Sequence, residues 1–357
     1  MDEICYLNLI PIEIKDYIIS LTKNKVFELC QVDKYFNDNC KIIKIVNNSK
    51  YPKLTDFNLK ILVNLISLNL CDNEVITDEG IKGLTNLTYL NITKNKLITD
   101  NGINKLVNLT NLNLYRNKII TNKGIKNLTN LTCLNLSNNK LITDKGINNL
   151  TNLTDLNLTT NRKITSEGIK GLINLTFIDL SNNNIMTNYE INKLNNLISL
   201  NLFNNDIITD DGIKKLTNLT SLNLSHNNVI TSYGIKELIN LTYFDLYCTD
   251  IITDKGMEGL INLTFLNISC NRSITDKTIK RLINLLSLDL SCNKIITNER
   301  IKDLINLKSL KLFRNKIITN YGIKNLSNLI SLVLRNGKTI TGKEAIQLTS
   351  LELVNFF

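Results

Sequence analysis

The sequence predicts an α/β solenoid, a right-handed horseshoe with parallel strands on the concave face and short helices on the convex face. Two observations carry this. Asn recurs every 22 residues from Asn64 to Asn328, thirteen times without interruption. Leu fills the second and twenty-first positions of every unit, from Leu65 and Leu84 to Leu329 and Leu348, and Thr fills the fourteenth, from Thr77 to Thr341. A fixed period of this length marks stacked units, each too small to bury its own apolar face.

A unit reads approximately N-L-T-x-L-N-L-S-x-N-K-I-I-T-D-x-G-I-K-x-L-T. Leu at the second position and apolar residues at the fifth and seventh, such as Leu68 and Leu70, alternate as a short strand with one buried face. Asn at the tenth position (Asn73, Asn95, Asn117) marks the turn out of the strand, where its amide can satisfy backbone groups that are costly to bury unpaired. The Thr that follows precedes Asp, Asn or Ser in twelve of thirteen units, residues expected as helix N-caps. Ile at the eighteenth position and Leu at the twenty-first share one buried helical side. Asn at the first position of the next unit suits a left-handed helix end.

Thirteen units occupy residues 64–349, inside a repeat domain spanning 42–357. Residues 42–63 read as a degenerate first repeat, because Thr55 and Asp56 stand one period before Thr77 and Asp78. Residues 350–357 read as a terminal strand that leaves Phe356 and Phe357 at an open edge. Residues 1–41 differ. Pro11 to Thr22 starts a helix, with Pro at the first turn, Glu13 near the positive dipole end and an apolar stripe of Ile14, Ile18 and Leu21. Two further helical stretches carry Val26, Leu29 and Cys30, then Phe36. On the residues alone, this small N-terminal helical segment is a cap over the solenoid's raw edge.

The L-x-x-L-x-L-x-x-N pattern resembles the leucine-rich-repeat family, and I-T-D-x-G-I after the turn looks like its cysteine-containing subclass, common in F-box proteins. The turn residue here is Asn where that subclass usually has Cys, and the unit is shorter, so the helices should be short. Ile10-Pro-Ile-Glu-Ile14, Ile18-Ile19, Val26 to Leu29 and Val32-Asp-Lys-Tyr-Phe36 resemble an F-box, with Ile10 in place of the usual Leu. That resemblance implies a substrate-recognition subunit of a Skp–cullin–F-box type ubiquitin ligase. Pro11, Ile14, Leu29, Val32 and Phe36 would contact a Skp-type adaptor, and the repeats would hold an unknown target protein. The alternative is a stand-alone interaction scaffold whose helices only cap the solenoid.

Composition and motifs narrow the chemistry. No apolar run approaches the roughly 18–20 residues that span a membrane. The acidic N-terminus lacks a signal peptide's basic start, and the eight cysteines are scattered, so a cytoplasmic protein is expected. Recurrent Asn-x-Thr triplets such as Asn86-Leu-Thr88 read as repeat structure without glycans. There is no phosphate-binding loop, no dinucleotide fingerprint and no nucleophile–base pair, so no enzyme activity, cofactor or small-molecule substrate is expected. The one histidine, His226, shares the ninth position with Cys248, Cys270 and Cys292. Four adjacent parallel strands spread these over about 14 Å, too far to converge on one zinc ion. The net charge of +10 rests mainly on Lys, in columns such as Lys96, Lys118 and Lys140 that read as solvated faces, and nucleic acid is not the expected partner. The variable outward strand positions hold the candidate contact residues: Tyr89, Tyr115, Phe177, Phe203, Tyr243, Tyr247, Phe265, Phe313 and Arg314, with Tyr243, Tyr247 and Phe265 expected to cluster. Lys308, Lys311, Phe313, Arg314 and Arg335 form a second, basic group.

Overall fold

The computed structural model describes residues 44–45, 54–60, 62–335, 340 and 353–356. The F-box-like segment 1–41, with Pro11, Ile14, Leu29, Val32 and Phe36, lies outside them. The described residues form two compact units: one runs to Asn157 and includes Glu167–Leu172, the other comprises Leu158–Ser166 and the residues from Ile173 onward. In the first, β1 (Lys44–Ile45), β2 (Ser67–Asn69), β3 (Tyr89–Asn91), β4 (Asn111–Asn113), β5 (Cys133–Asn135) and β6 (Asp155–Asn157) pair in chain order, all parallel. The second does the same with β7 (Phe177–Asp179), β8 (Ser199–Asn201), β9 (Ser221–Asn223), β10 (Tyr243–Asp245) and β11 (Phe265–Asn267). It continues through β12 (Ser287–Asp289), β13 (Ser309–Phe313), β14 (Ser331–Arg335) and β15 (Leu353–Phe356). Each unit is a parallel α/β solenoid, as the 22-residue period requires.

Packing follows the columns. In one repeat, Leu87, Leu90, Ile92, Ile98, Ile103 and Leu106 are all fully buried, and their equivalents in the other repeats behave alike. Truncating one of these to Ala removes contacts to the repeats on either side and costs about 2–5 kcal/mol. The turn Asn is buried, and in Asn95 both ends of its amide are engaged. Asn95 Oδ1 accepts from the N–H of Leu97 (3.0 Å) and Ile98 (2.8 Å), and its Nδ2 donates to the Asn73 carbonyl one repeat back (2.9 Å).

Two local expectations are corrected. The left-handed residue is not the Asn at the first position; it is the ninth residue, just before the turn Asn, with φ between 49° and 56° in every case from Asp72 to Arg314. The first-position Asn acts through its amide instead: Asn86 Nδ2 donates to the Val63 carbonyl (2.9 Å). Nor is the Asp after Thr the N-cap. The Thr caps the helix, as Thr99 does by accepting from the Asn101 N–H, and the Asp is the first helical residue. Its carboxylate turns toward the next repeat, where Asp78 accepts from both the N–H (2.7 Å) and the hydroxyl (2.5 Å) of Thr99. The helix that follows has only four residues, Asp100–Ile103, and Ile103 and Leu106 bury its inner side. Gly102 lets the repeats approach, because a Cβ there would collide with the Asp78 carboxylate.

Strand length has a side-chain cause. Asn or Asp at the sixth position accepts the N–H two residues on, as Asn113 does from Tyr115 (3.0 Å) and Asp289 from Ser291 (2.9 Å). That bond takes the eighth residue's N–H out of the ladder and ends the strand at three residues. Lys311 and Val333 cannot accept, so β13 and β14 run to five residues and Phe313 pairs with Arg335.

Candidate protein-binding face

The fifth and seventh strand positions are buried, and the fourth, sixth and eighth form the outward face. In the first unit this face carries Tyr89 and Tyr115, both half-buried, with the Arg116 guanidinium 5.1 Å from the Tyr115 ring centre. The other candidates lie on the second unit. There the period places residues of neighbouring repeats side by side, and rings accumulate on β8 to β11 and their exit turns.

Tyr243 and Phe265 are register partners on β10 and β11, and their rings stack at 4.2 Å with planes 7° apart. At the other end of β10, Tyr247 meets the His226 ring edge-on at 4.8 Å, and His226 meets Phe203 edge-on at 5.4 Å. Offset and edge-to-face ring pairs add about 0.5–1.5 kcal/mol beyond the area they bury, so both groups are pre-ordered before any partner arrives. The left-handed backbone at His226 swings its side chain into line between Phe203 and Tyr247. Tyr247 thus packs on His226, while Tyr243 and Phe265 make the stack. Phe177 faces Ser199 across β7 and β8, and Phe313 lies beneath the Arg314 guanidinium, 5.0 Å away.

The phenols of Tyr243, on β10, and Tyr247, two residues past its end, both stay protonated at neutral pH. Burial, reinforced by the Asp245 charge, raises the pKa of Tyr243, and the neighbouring Cys248 thiol raises that of Tyr247. Each therefore carries a hydrogen-bond donor at its tip. Beside them, Cys270 is pushed up to about 12, first by burial and then by the thiols of Cys248 and Cys292 on either side. A thiol held in that form is a poor nucleophile and a poor metal ligand. Among the described residues no group of three or more His, Cys, Asp or Glu side chains is placed to hold a metal ion, and no helix is long and apolar enough to cross a membrane.

Reading the ninth position only for metal chemistry missed what His226 does. The signal was present in the sequence: an aromatic-capable side chain one repeat after Phe203 and one before Tyr247. The turn ladder also changes here. Thr249 takes the place of the buried Asn, and its hydroxyl donates to the Leu224 carbonyl (2.6 Å).

Comparisons with known proteins agree with this architecture. The family model described as Leucine Rich repeat matches at residues 63–84, 83–107, 127–150, 149–173, 193–216, 215–239, 259–280 and 281–299, just over half of the chain. Among curated proteins no sequence match is found. Among solved structures, an internalin from Listeria monocytogenes is similar at 25% identity and a TM-score of 0.63, covering 94% of this chain and 97% of that one. Toll in the Toll–Spatzle complex of Drosophila is similar at 20% identity and a TM-score of 0.60, covering 84% of this chain and 44% of that one. The TLR13–ssRNA13 complex gives 26% identity and a TM-score of 0.57, covering 82% of this chain and 48% of that one.

Proposed function

The chain belongs to the leucine-rich-repeat family, and we propose that it is a protein-interaction scaffold that grips a partner through the outward strand face of β8 to β11. The observation that carries this reading is the pair of pre-ordered ring groups, Tyr243 on Phe265 and Tyr247 on His226 on Phe203. Aromatic side chains that are already immobilised lose little entropy on binding, and each offers a large apolar area with a polar tip. The role is binding without catalysis.

The test compares full-length protein with Tyr243→Ala/Phe265→Ala and with a helix-side control, Lys280→Ser, in quantitative affinity capture. Any partner so found is then titrated in purified form. A true partner of this face loses about 2 kcal/mol or more with the double variant and nothing with the control. A partner whose affinity ignores the ring pair would move the binding site elsewhere.

A finer reading makes the scaffold the target-holding subunit of a Skp–cullin–F-box type ubiquitin ligase, acting inside the cell. It is favoured by the F-box-like order Pro11, Ile14, Leu29, Val32 and Phe36 directly before the repeats. Full-length chain should bind a Skp-type adaptor, and Val32→Asp or Phe36→Ala should weaken that binding. Wild-type protein that ignores the adaptor would leave the scaffold without a ligase role.

A further inference from the structure

We infer that β13 and its exit turn dock an extended acidic peptide segment of a partner protein. This rests on the protein-binding reading of the strand face and names the chemistry of one thing bound there. The observation behind it is a break in the sixth-position column. From Asn69 to Asp289 that column is Asn or Asp throughout, and the side chain closes the turn by accepting an N–H. At Lys311 the acceptor is replaced by a cation, the turn bond is given up, the strand lengthens and the ammonium group is left exposed. A repeat that abandons its own structural rule does so at a strained or functional position.

The same repeat departs in the same direction at one more position and keeps two cations that other repeats also carry. Lys308 occupies the third position, where most units carry Thr, and Arg314 and Lys316 follow at the ninth and eleventh. All four cations are exposed. Among the described residues none of them forms an ion pair, whereas the ninth- and eleventh-position cations Lys94 and Lys96 are held by Asp72 (3.2 Å) and Glu74 (2.9 Å). Asp289 lies opposite Lys311 in register, but it is engaged by the Ser291 N–H. Lys294, one repeat earlier, extends the positive edge sideways by one strand spacing, about 4.8 Å.

The arrangement fits carboxylates on an extended chain. Lys308 to Phe313 spans about 17 Å of strand, the length of five or six extended residues, with a charge near each end and one at the centre. Single-stranded nucleic acid needs a run of open rings on which successive bases stack. Here the one ring, Phe313, is already covered by Arg314. Three of the four cations are Lys, point charges that meet separate carboxylates, and Arg is the side chain that suits phosphate.

The test is fluorescence anisotropy on the full-length protein with three labelled probes: a peptide of alternating Glu and Ser, its Lys–Ser counterpart, and an oligothymidine of equal length. The informative variant is Lys308→Thr/Lys311→Asn, which returns both positions to the residues most units carry and restores the turn acceptor, so the fold is retained. We expect the acidic peptide to bind, the basic one not to, and added salt to weaken binding. The double variant should lose about tenfold in affinity. Tyr243→Ala/Phe265→Ala should leave the acidic probe's affinity unchanged, so a failure here is separable from a failure of the aromatic face. Equal binding of both peptides, or a double variant with a native circular dichroism spectrum and undiminished affinity, would overturn the inference. Tighter binding of the oligonucleotide would replace it with a nucleic-acid surface.

Discussion

At the scale of single residues, this solenoid repeats not only its leucines but its backbone stress. A non-glycine residue in the left-handed region pays about 1–2 kcal/mol, least when it is Asn or Asp. The ninth position visits that region at every described turn, yet it holds Lys, Arg, His, Cys and Thr as well as Asn. Thr160 is the poorest match, because a β-branched side chain at φ 53° crowds its own backbone. It is exposed, and Asn stands at the same place in Asn138 and Asn182. Thr160→Asn should therefore raise stability by about 0.5–1 kcal/mol, read as a higher urea midpoint at unchanged slope. A second residue-scale effect is acid-sensitive. Burial raises the pKa of Asp254, but the hydroxyls of Thr275 and Thr278 and the Thr275 N–H donate to its carboxylate and, with the charge of Lys277, bring it below its usual value. The fold thus prefers the charged form. That contribution is whole above the unfolded value of about 3.9 and is lost as pH falls through the lower folded value. Asp254→Asn should melt earlier than wild type at pH 7, and the two melting curves should converge as the pH is taken well below 4; a gap that persisted in acid would assign the stabilisation to shape alone.

At the scale of the element, the helix start works as a staple between repeats, and the acid in it decides whether the helix is also capped. Where the staple is Asp, the Thr hydroxyl donates to the carboxylate and keeps a lone pair for its own helix: Thr77, Thr99, Thr121, Thr231 and Thr275 all accept from the N–H two residues on. Where the staple is Asn, its Nδ2 donates to the Thr hydroxyl, as Asn122 does to Thr143 (2.9 Å), and Thr143, Thr209 and Thr319 make no cap. Thr297 faces Asp276 and still lacks the cap bond, and nothing in its surroundings explains this. Asn122→Asp should let Thr143 accept from Lys145 and place a charge at a helix start, a gain of about 0.5–1 kcal/mol at neutral pH. Thermal melts at pH 7 and pH 3 check it, since the gain must vanish when the new carboxyl is protonated. This is also where the sequence was only partly readable. The T-D-x-G string announced a helix start, but which residue capped and which reached outward depends on a neighbour 21 residues away. Local propensity contains no such term. The strand columns were legible because alternation is local; the ring group at Phe203, His226 and Tyr247 was legible only as a spacing, because bringing the rings together needs the left-handed turn that aims His226.

At the scale of the whole molecule, stability is the sum of contacts between neighbours. The recurrent bonds that join repeats link residues 20 to 25 positions apart: the turn Asn to the carbonyl one repeat back, the staple Asp to the next Thr, the first-position Asn to the carbonyl before it. None needs a particular repeat, only the correct offset. That makes the period itself the folding instruction. Removing residues 108–129, one full period within the first unit, joins Val107 to Asn130 and leaves every column aligned. The shortened protein should keep its circular dichroism spectrum and cooperative melt, with the midpoint lowered by only a few degrees, because one interface of many is lost. Removing half as much, residues 108–118, deletes a strand and its turn and sets helix-start residues into strand positions of the neighbouring ladder. Buried Leu columns would then face polar ones, and the first unit should lose its melt and its slow-exchanging amides. If the half-period deletion melted as well as the full-period one, the columns would not be what holds the repeats together. The same additivity explains why binding chemistry can vary so freely on this scaffold: Tyr243 and Phe265 stand at the fourth position, outside the recurrent inter-repeat bonds, whereas Lys308 gives up the bond by which a third-position Thr such as Thr264 donates to the carbonyl one repeat back (3.1 Å), and Lys311 gives up the turn acceptor.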